Sequence, residues 1–314
     1  MHLRTSAHAK VNLALAVTGR RADGYHTLCS VFVRVGLADR LGVSLPEPPM
    51  VADHVVVAGD LGCPTEDNLV LHAAASLRAS AEDALPGLAF ALDKAIPMGA
   101  GLGGGSSDAA AALRLAAEIW GLTVPADELG PIASALGADV PFFVADAPAA
   151  LVAGVGDDIE PLSAPTGPMG LLLVCPAFRL STAEVFAASD QRPIVSDDSR
   201  ETSEALAQAL REGLNGAELA SASWIERLAD ANDLWPAAAA VAPDLAVARE
   251  EVERALGRRL LMTGSGSTLV GLYPSTEEAT DAGRRLASAL PSSLDGARLL
   301  SVDLVGPDPH WSHP

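Results

Sequence analysis

Apolar positions at Val11, Leu13, Leu15 and Val17 alternate with Lys10, Asn12, Ala14 and Ala16, a two-residue period that predicts a half-buried strand. That reading puts Lys10 and Asn12 together on the face opposite the core. A turn-rich stretch over 18–25 follows, and a second apolar run over 31–35 returns as a neighbouring strand. Pro46, Pro48 and Pro49 mark a surface loop, and Asn68 caps a helix predicted over 69–79. Leu88, Phe90 and Leu92 alternate as a further strand, which leads into Gly99-Ala100-Gly101-Leu102-Gly103-Gly104-Gly105. Ser106 or Ser107 is the expected N-cap of an alanine-rich helix that stops at Gly121. A helix over 127–136 and a strand over 141–144 come next, separated by Gly137-Ala138-Asp139-Val140. Beyond residue 160 the pattern restarts with a strand over 171–175, an acidic loop over 189–203 and helices to about Arg258. A strand pair around Gly264-Ser265-Gly266-Ser267 and a last helix and strand end near Val305. Prolines and small residues clustered over 161–168 place a domain boundary there, giving domains 1–162 and 163–306. No internal repeat is visible.

Composition narrows the function. Of 314 residues, 21 are Lys or Arg and 40 are Asp or Glu, a formal charge of −19. Phosphate attraction has the wrong sign on such a surface, which argues against nucleic acid and anionic membranes as partners. Residues 1–36 are the exception, with Arg4, Lys10, Arg20, Arg21 and Arg34 against Asp23 alone. Cys29, Cys63 and Cys175 are odd in number with no close pair, which supports neither a disulfide framework nor a zinc knuckle and fits a reducing cytoplasm. No apolar run of about 18 residues spans a bilayer, and the short basic start lacks the features of a signal peptide. Residues 307–314 read as a tail, and Trp311-Ser312-His313-Pro314 resembles the start of an expression tag.

The glycine-dense segment carries the strongest chemistry. Without Cβ atoms a backbone approaches an anion closely, and the free N–H groups of the helix start point at it with the dipole behind them. A close-packed turn is the bland alternative, a minority reading for five glycines in seven positions followed by serine. No Gly-Lys-Ser/Thr follows, which excludes a Walker A loop. Gly99, Gly101 and Gly104 satisfy a dinucleotide fingerprint formally, yet the region about 20 residues on is a helix and a turn rather than an acid-ended strand. Taken singly, Lys10 is a surface charge, Asp139 a turn residue, and Tyr25 and His26 structural. In combination with a phosphate loop, a lysine and an aspartate supply the parts of phosphoryl transfer, and an aromatic beside an imidazole can stack on and read a base.

Five segments, Ala9-Lys10-Val11-Asn12-Leu13, Gly19-Arg20-Arg21-Ala22-Asp23-Gly24-Tyr25-His26, Pro97-Met98 through Ser107, Gly137-Ala138-Asp139-Val140-Pro141 and Thr263-Gly264-Ser265-Gly266, resemble the GHMP kinase superfamily in its motif order. The resemblance covers residues 9 to about 270. It is closest to the branch that phosphorylates the 2-hydroxyl of a cytidine diphosphate-linked methylerythritol in the non-mevalonate route to isoprenoid precursors. It implies an α+β two-domain fold, a ribosomal-S5-like N-terminal domain and a ferredoxin-like C-terminal domain, with ATP and substrate in the cleft between them. It further implies Lys10 and Asp139 as the catalytic pair, and Pro97, Met98, Gly99, Ala100, Gly101, Leu102, Gly103, Gly104, Gly105, Ser106 and Ser107 as the ATP-phosphate loop. Asn12, Tyr25, His26, Thr182 and Phe186 are the implied substrate contacts, with Tyr25 and Phe186 on opposite sides of the cytosine. Mg2+ would accompany ATP; its ligands are not assigned, Ser107 and Asp108 being neighbours only. A cytoplasmic monomer or homodimer acting on a small molecule is expected. Two positions depart from the family pattern, Ser267 and Ser181, where proline is common. The alternatives are a related kinase acting on mevalonate, homoserine or a sugar, which has no reason for the Tyr25, His26 and Phe186 clamp, and a nucleotide-binding regulator, which has no reason for the Lys10 and Asp139 pair.

Overall fold

The alternation at the N-terminus runs much further than its apolar core suggests. Strands β1 (His2–Arg20) and β2 (His26–Ser44) are 19 residues each and pair antiparallel through three register irregularities. The computed structural model describes residues 2–59, 65–192 and 197–306; Cys63 and the tail 307–314, with its tag-like end, lie outside them. β2 is the hub of the first sheet, pairing β4 (Ala89–Asp93) near its end and β5 (Ala149–Gly154) near its start, with β1 alongside. β3 (His54–Ala58) joins β4 in parallel, and β6 (Asp158–Leu162) closes the far edge against β5.

Helices α1 (Leu69–Ser80), α2 (Gly104–Trp120), α3 (Ala126–Leu136) and α4 (Val140–Val144) share a core with this sheet, built from Phe32, Val43, Phe90, Leu77, Leu113 and Phe142. Asn68 caps α1 as its sequence suggests, its side chain accepting from the Val70 amide at 2.9 Å. Two expectations fail here. The apolar run over 141–144 is helix α4 rather than a strand, because Pro141 sits in its first turn, where a fixed φ and a missing N–H are no handicap. Its Phe142 then meets Phe32 edge-on at 5.3 Å. Helix α2 begins at Gly104, capped by a left-handed Gly103, so neither Ser106 nor Ser107 is its N-cap.

The second sheet takes the order β10-β7-β9-β8 and is antiparallel throughout: β7 (Gly170–Cys175), β8 (Leu261–Met262), β9 (Leu269–Tyr273) and β10 (Arg298–Asp303). All four strands follow residue 163, whereas all six of the first sheet precede it. The helices of this half are α5 (Thr182–Ser189), α6 (Asp198–Arg211), α7 (Gly216–Leu219), α8 (Ala222–Ala229), α9 (Trp235–Val241), α10 (Pro243–Leu256) and α11 (Thr276–Ser288). The acidic stretch read as a loop to Ser203 is therefore helical from Asp198, with Asp198 and Glu201 in the first turn where the helix dipole favours negative charge.

β1 is the seam between the halves, and this corrects the placement of Lys10 and Asn12 on an open face. Ala9, Val11 and Leu13 share one buried cluster with Leu171, Leu206, Leu228 and Val270 of the second half. The opposite face, carrying Lys10 and Asn12, is covered as well, and the two are 3% and 2% exposed. The backbone is knitted across the seam by Leu15 N–H to the Ala231 carbonyl at 2.7 Å and Asp233 N–H to the Leu15 carbonyl at 2.9 Å. Between them stands Asn232, 5% exposed, whose Nδ2 donates to the carbonyls of Met262 (2.8 Å) and Gly264 (3.0 Å). Asn232 thus fixes the turn that will matter for the site. Asn232→Ala would leave two buried carbonyls short of a donor and should lower unfolding free energy by about 2–3 kcal/mol. Urea denaturation measures it; a loss below about 0.5 kcal/mol, the ordinary range of a neutral surface change, would refute that role.

Candidate active site

The glycine loop keeps its shape because at three of its positions only glycine fits. Gly99, Gly101 and Gly103 have φ of +64°, +75° and +71°, the left-handed region that costs any side chain. A Cβ on Gly101 would lie 2.3 Å from the Thr263 carbonyl oxygen, so the loop rests directly on the 263–268 segment. Thr268 N–H reaches the Ala100 carbonyl at 3.4 Å, and Thr263 Oγ1 donates to the Gly101 carbonyl at 3.3 Å. From the other side Lys10 N–H bonds the Leu102 carbonyl at 3.0 Å. Ala100 and Leu102 are buried and anchor the loop, while Pro97 and Met98 are half-buried before it. Gly104, Gly105 and Ser106 then open α2, and no side chain caps that end. The first amides of the helix are left as donors with the positive end of the dipole behind them, an anion site.

Beneath the loop, Lys94 is gripped by two carboxylates. Its Nζ bonds Asp39 Oδ2 and, at 2.7 Å, Asp108 Oδ2, while Asp39 Oδ1 accepts from the amides of Ala95 and Ile96. Burial pushes the Asp108 carboxyl up to about 7, against the pull of Lys94 and with Asp39 adding to the rise. Asp108 Oδ1 has no hydrogen-bond partner, but the side chain is only 4% exposed and committed to Lys94, so it supports the loop rather than opening on the cleft.

The candidate catalytic pair comes together where β1 passes the loop. Lys10 Nζ lies 3.3 Å from Asp139 Oδ2, 2.6 Å from Asn12 Oδ1 and 4.5 Å from the centre of the Phe32 ring. The lysine side chain is 4% exposed and the aspartate 31%, so the aspartate is the member open to a substrate. Asp139 precedes α4 in the cap position without using its carboxylate as a cap, which leaves those oxygens for other work. Gly137 faces Ser106 Oγ at 3.8 Å from its would-be Cβ, bringing the Asp139 loop against the start of α2. Asn12 is held by Ser30 Oγ, to which its Nδ2 donates at 3.0 Å, and its N–H donates to Thr263 Oγ1 at 2.9 Å. Ser30 and Thr263 carry no mark in the sequence, since the second contact spans 251 positions.

The base-recognition candidates gather at the other end. His26, the first residue of β2, stacks on Phe186 of α5 with ring centres 4.7 Å apart and planes 23° apart. Its Nε2 lies 2.6 Å from Asp190 Oδ1, a partner the motifs did not indicate. The Tyr25 residue is 64% exposed at the tip of the turn, and it is His26 rather than Tyr25 that faces Phe186. Thr182 Oγ1 is 2.9 Å from Ser265 Oγ, linking α5 to the Gly-Ser-Gly turn. Both departures from the family pattern are absorbed: Ser181 caps α5 by accepting from Glu184 N–H, and Ser267 Oγ donates to the Phe178 carbonyl at 3.0 Å. Arg179 also went unread, although its side-chain stem packs along Gly99. A cavity of about 910 Å³ between the start of β1 and α2 contains neither Lys10 nor Asp139. Convergent polar groups, not cavity size, mark this site.

Known proteins similar to this chain share one family. Residues 68–153 match the model of the GHMP kinases N-terminal domain and residues 206–292 that of the GHMP kinases C-terminal domain. A 4-diphosphocytidyl-2-C-methyl-D-erythritol kinase of Bradyrhizobium sp. (strain ORS 278) is 38% identical over 294 residues, 92% of this chain and 94% of that protein. One of the same name from Salinibacter ruber is 36% identical, covering 94% of this chain and 97% of its own. A crystal structure of 4-(cytidine 5'-diphospho)-2C-methyl-D-erythritol kinase superposes with a TM-score of 0.70 at 33% identity, over 97% of this chain and 100% of that one. A homoserine kinase from Cytophaga hutchinsonii shares the fold at a TM-score of 0.68 and 17% identity.

The loop makes two opposite predictions for one substitution. Gly101→Ala forces a Cβ into backbone at positive φ, and should lower the melting temperature and raise KM for the nucleotide. At Gly105 the nearest atom to a new Cβ is Leu69 Cδ1 at 3.7 Å, so Gly105→Ala should be neutral or stabilising by up to about 1 kcal/mol. Thermal melts of both variants decide; equal destabilisation would contradict the packing described.

Proposed function

The chain belongs to the GHMP kinase superfamily and, within it, to the 4-diphosphocytidyl-2-C-methyl-D-erythritol kinases, and from that premise we propose how its own residues divide the work. It is an ATP-dependent phosphotransferase acting on the 2-hydroxyl of its cytidine diphosphate-linked substrate, which favours this reading over a mevalonate, homoserine or sugar kinase and over a non-catalytic regulator. The observation that carries the proposal is Lys10 Nζ 3.3 Å from Asp139 Oδ2, beside the uncapped start of α2.

The loop 97–107 holds the ATP phosphates, its amides and helix dipole meeting the anionic oxygens. The substrate hydroxyl lies against Asp139, which accepts the proton as the hydroxyl oxygen bonds the γ-phosphorus and the bond to the β-phosphate oxygen breaks, releasing ADP. Lys10, fixed by Asn12, draws hydroxyl and phosphate together. Because the transition state is loose, orientation contributes more than base strength. Asn12 and Thr182 line the substrate path, and Tyr25, His26 and Phe186 hold the cytosine, the Tyr25 ring closing over it from the exposed tip of its turn.

Mg2+ comes with the nucleotide. Among the described residues no group of three His, Cys, Asp or Glu side chains is placed to hold a metal, and Asp108 is committed to Lys94. Asp139, the partly exposed carboxylate beside the loop, would be the side chain nearest such an ion, whose other ligands would be phosphate oxygens and water. When bound it neutralises charge on the transferring group. No helix of the described residues is long and apolar enough to cross a membrane, and Cys29 and Cys175 are buried free thiols. Action in the cytoplasm is part of the proposed reading.

Asp139→Asn should lower kcat by about 10²–10⁴-fold, the usual worth of a general base, while ATP affinity changes little. An assay of ADP release on adding the cytidylyl substrate, beside calorimetric titration with ATP, measures both. Near-full turnover by the variant would remove Asp139 from this role.

A further inference from the structure

Asp190 is absent from every motif, yet it ties β1, β2 and α5 together at the base-recognition end. It follows α5, its N–H donating to the Phe186 carbonyl at 2.9 Å, so it moves with the ring that stacks on His26. Its Oδ1 lies 2.6 Å from His26 Nε2, and its Oδ2 is 3.1 Å from an Arg20 guanidinium nitrogen. Arg20 ends β1 and His26 begins β2, so one carboxylate from the second half holds both ends of the turn that carries Tyr25. The His26 hydrogen bond holds the Asp190 carboxyl below the usual carboxylate range, with Arg20 adding to it.

An ionised carboxylate only accepts hydrogen bonds. Nε2 must therefore carry the hydrogen in the Asp190 contact, and in the neutral ring Nδ1 is left with its lone pair. Phe186 against the ring face fixes the plane in which that lone pair points. A pyrimidine offering an exocyclic amino group meets an acceptor there. A pyrimidine offering a carbonyl at the same position sets lone pair against lone pair, and a site with a fixed polar requirement rejects the mismatch strongly.

We propose that Asp190 is a positioning and specificity-determining residue that locks His26 in the Nε2–H tautomer, so that Nδ1 selects cytosine over uracil in the diphosphate-linked substrate. This rests on the reading of His26 as a base contact. Asp190 touches no reacting atom, and its effect falls on KM and base preference rather than on the transfer step.

The test compares cytidine- and uridine-linked diphosphomethylerythritol as substrates for wild type, Asp190→Ala, Asp190→Glu, Arg20→Ala and His26→Ala. Asp190→Ala should reduce the cytidine-over-uridine ratio of kcat/KM by at least about tenfold, through KM with kcat nearly kept, and Asp190→Glu should restore part of it. Arg20→Ala removes the other tie on the turn and should leave the ratio intact, which separates tautomer control from simple anchoring. The ¹⁵N shifts of the His26 ring should change from a single Nε2–H form to a mixture in Asp190→Ala. If His26→Ala collapses the ratio while a folded Asp190→Ala preserves it, this proposal is overturned and the base-contact reading stands. If His26→Ala also preserves it, the base-contact reading falls as well.

Discussion

The seating of a glycine loop on a turn 162 residues further along the chain is the constraint on which the proposed active site depends. Gly101 leaves no space for a Cβ against the Thr263 carbonyl, and Thr263 Oγ1 in turn bonds both Gly101 and Asn12. Asn12 holds Lys10, and Lys10 faces Asp139. The proposed phosphate loop, Lys10 and the second half are therefore placed by one set of contacts. Asn232 secures the same turn from behind, and Lys94 with its two carboxylates secures the loop from below.

Electrostatics follow the same division. A chain of formal charge −19 binds an anionic nucleotide and an anionic diphosphate, which bulk charge alone would disfavour. The local arrangement overrides it: β1 and the turn after it are basic, α2 presents an uncapped positive end, and Lys10 is buried where water screens it little. The carboxylates near the site are largely committed, Asp39 and Asp108 to Lys94 and Asp190 to Arg20 and the Nε2–H of His26. Asp139 remains the partly exposed one beside the loop.

What the sequence made legible was local in origin. Periodicity found β1, β4 and α1, because each needs only its own residues to declare a face, and the glycine run declared the loop because nothing else needs so many residues without Cβ. Residues 141–144 read as a strand because four apolar residues have no distinguishing period; the proline at the helix start was the overlooked cue. Lys10 and Asn12 read as solvent-facing because the layers covering them, Gly103, Phe143 and Phe32 on one element after another, come from distant sequence. Thr263 and Asp190 were invisible for the same reason, since their roles exist only once the two halves meet, and that of Ser30 exists only once β1 and β2 pair.

The central claim is that Lys10 and Asp139 act as one unit in phosphoryl transfer, and a double-mutant cycle tests it most directly. Turnover of Lys10→Met, Asp139→Asn and the double variant is measured with ATP and the cytidylyl substrate under saturation. Residues that act as a unit are strongly non-additive, so the double variant should be no slower than the slower single one. Losses that multiply, with the double variant slower by the product of the two single effects, would show that the two side chains act independently and would contradict the account.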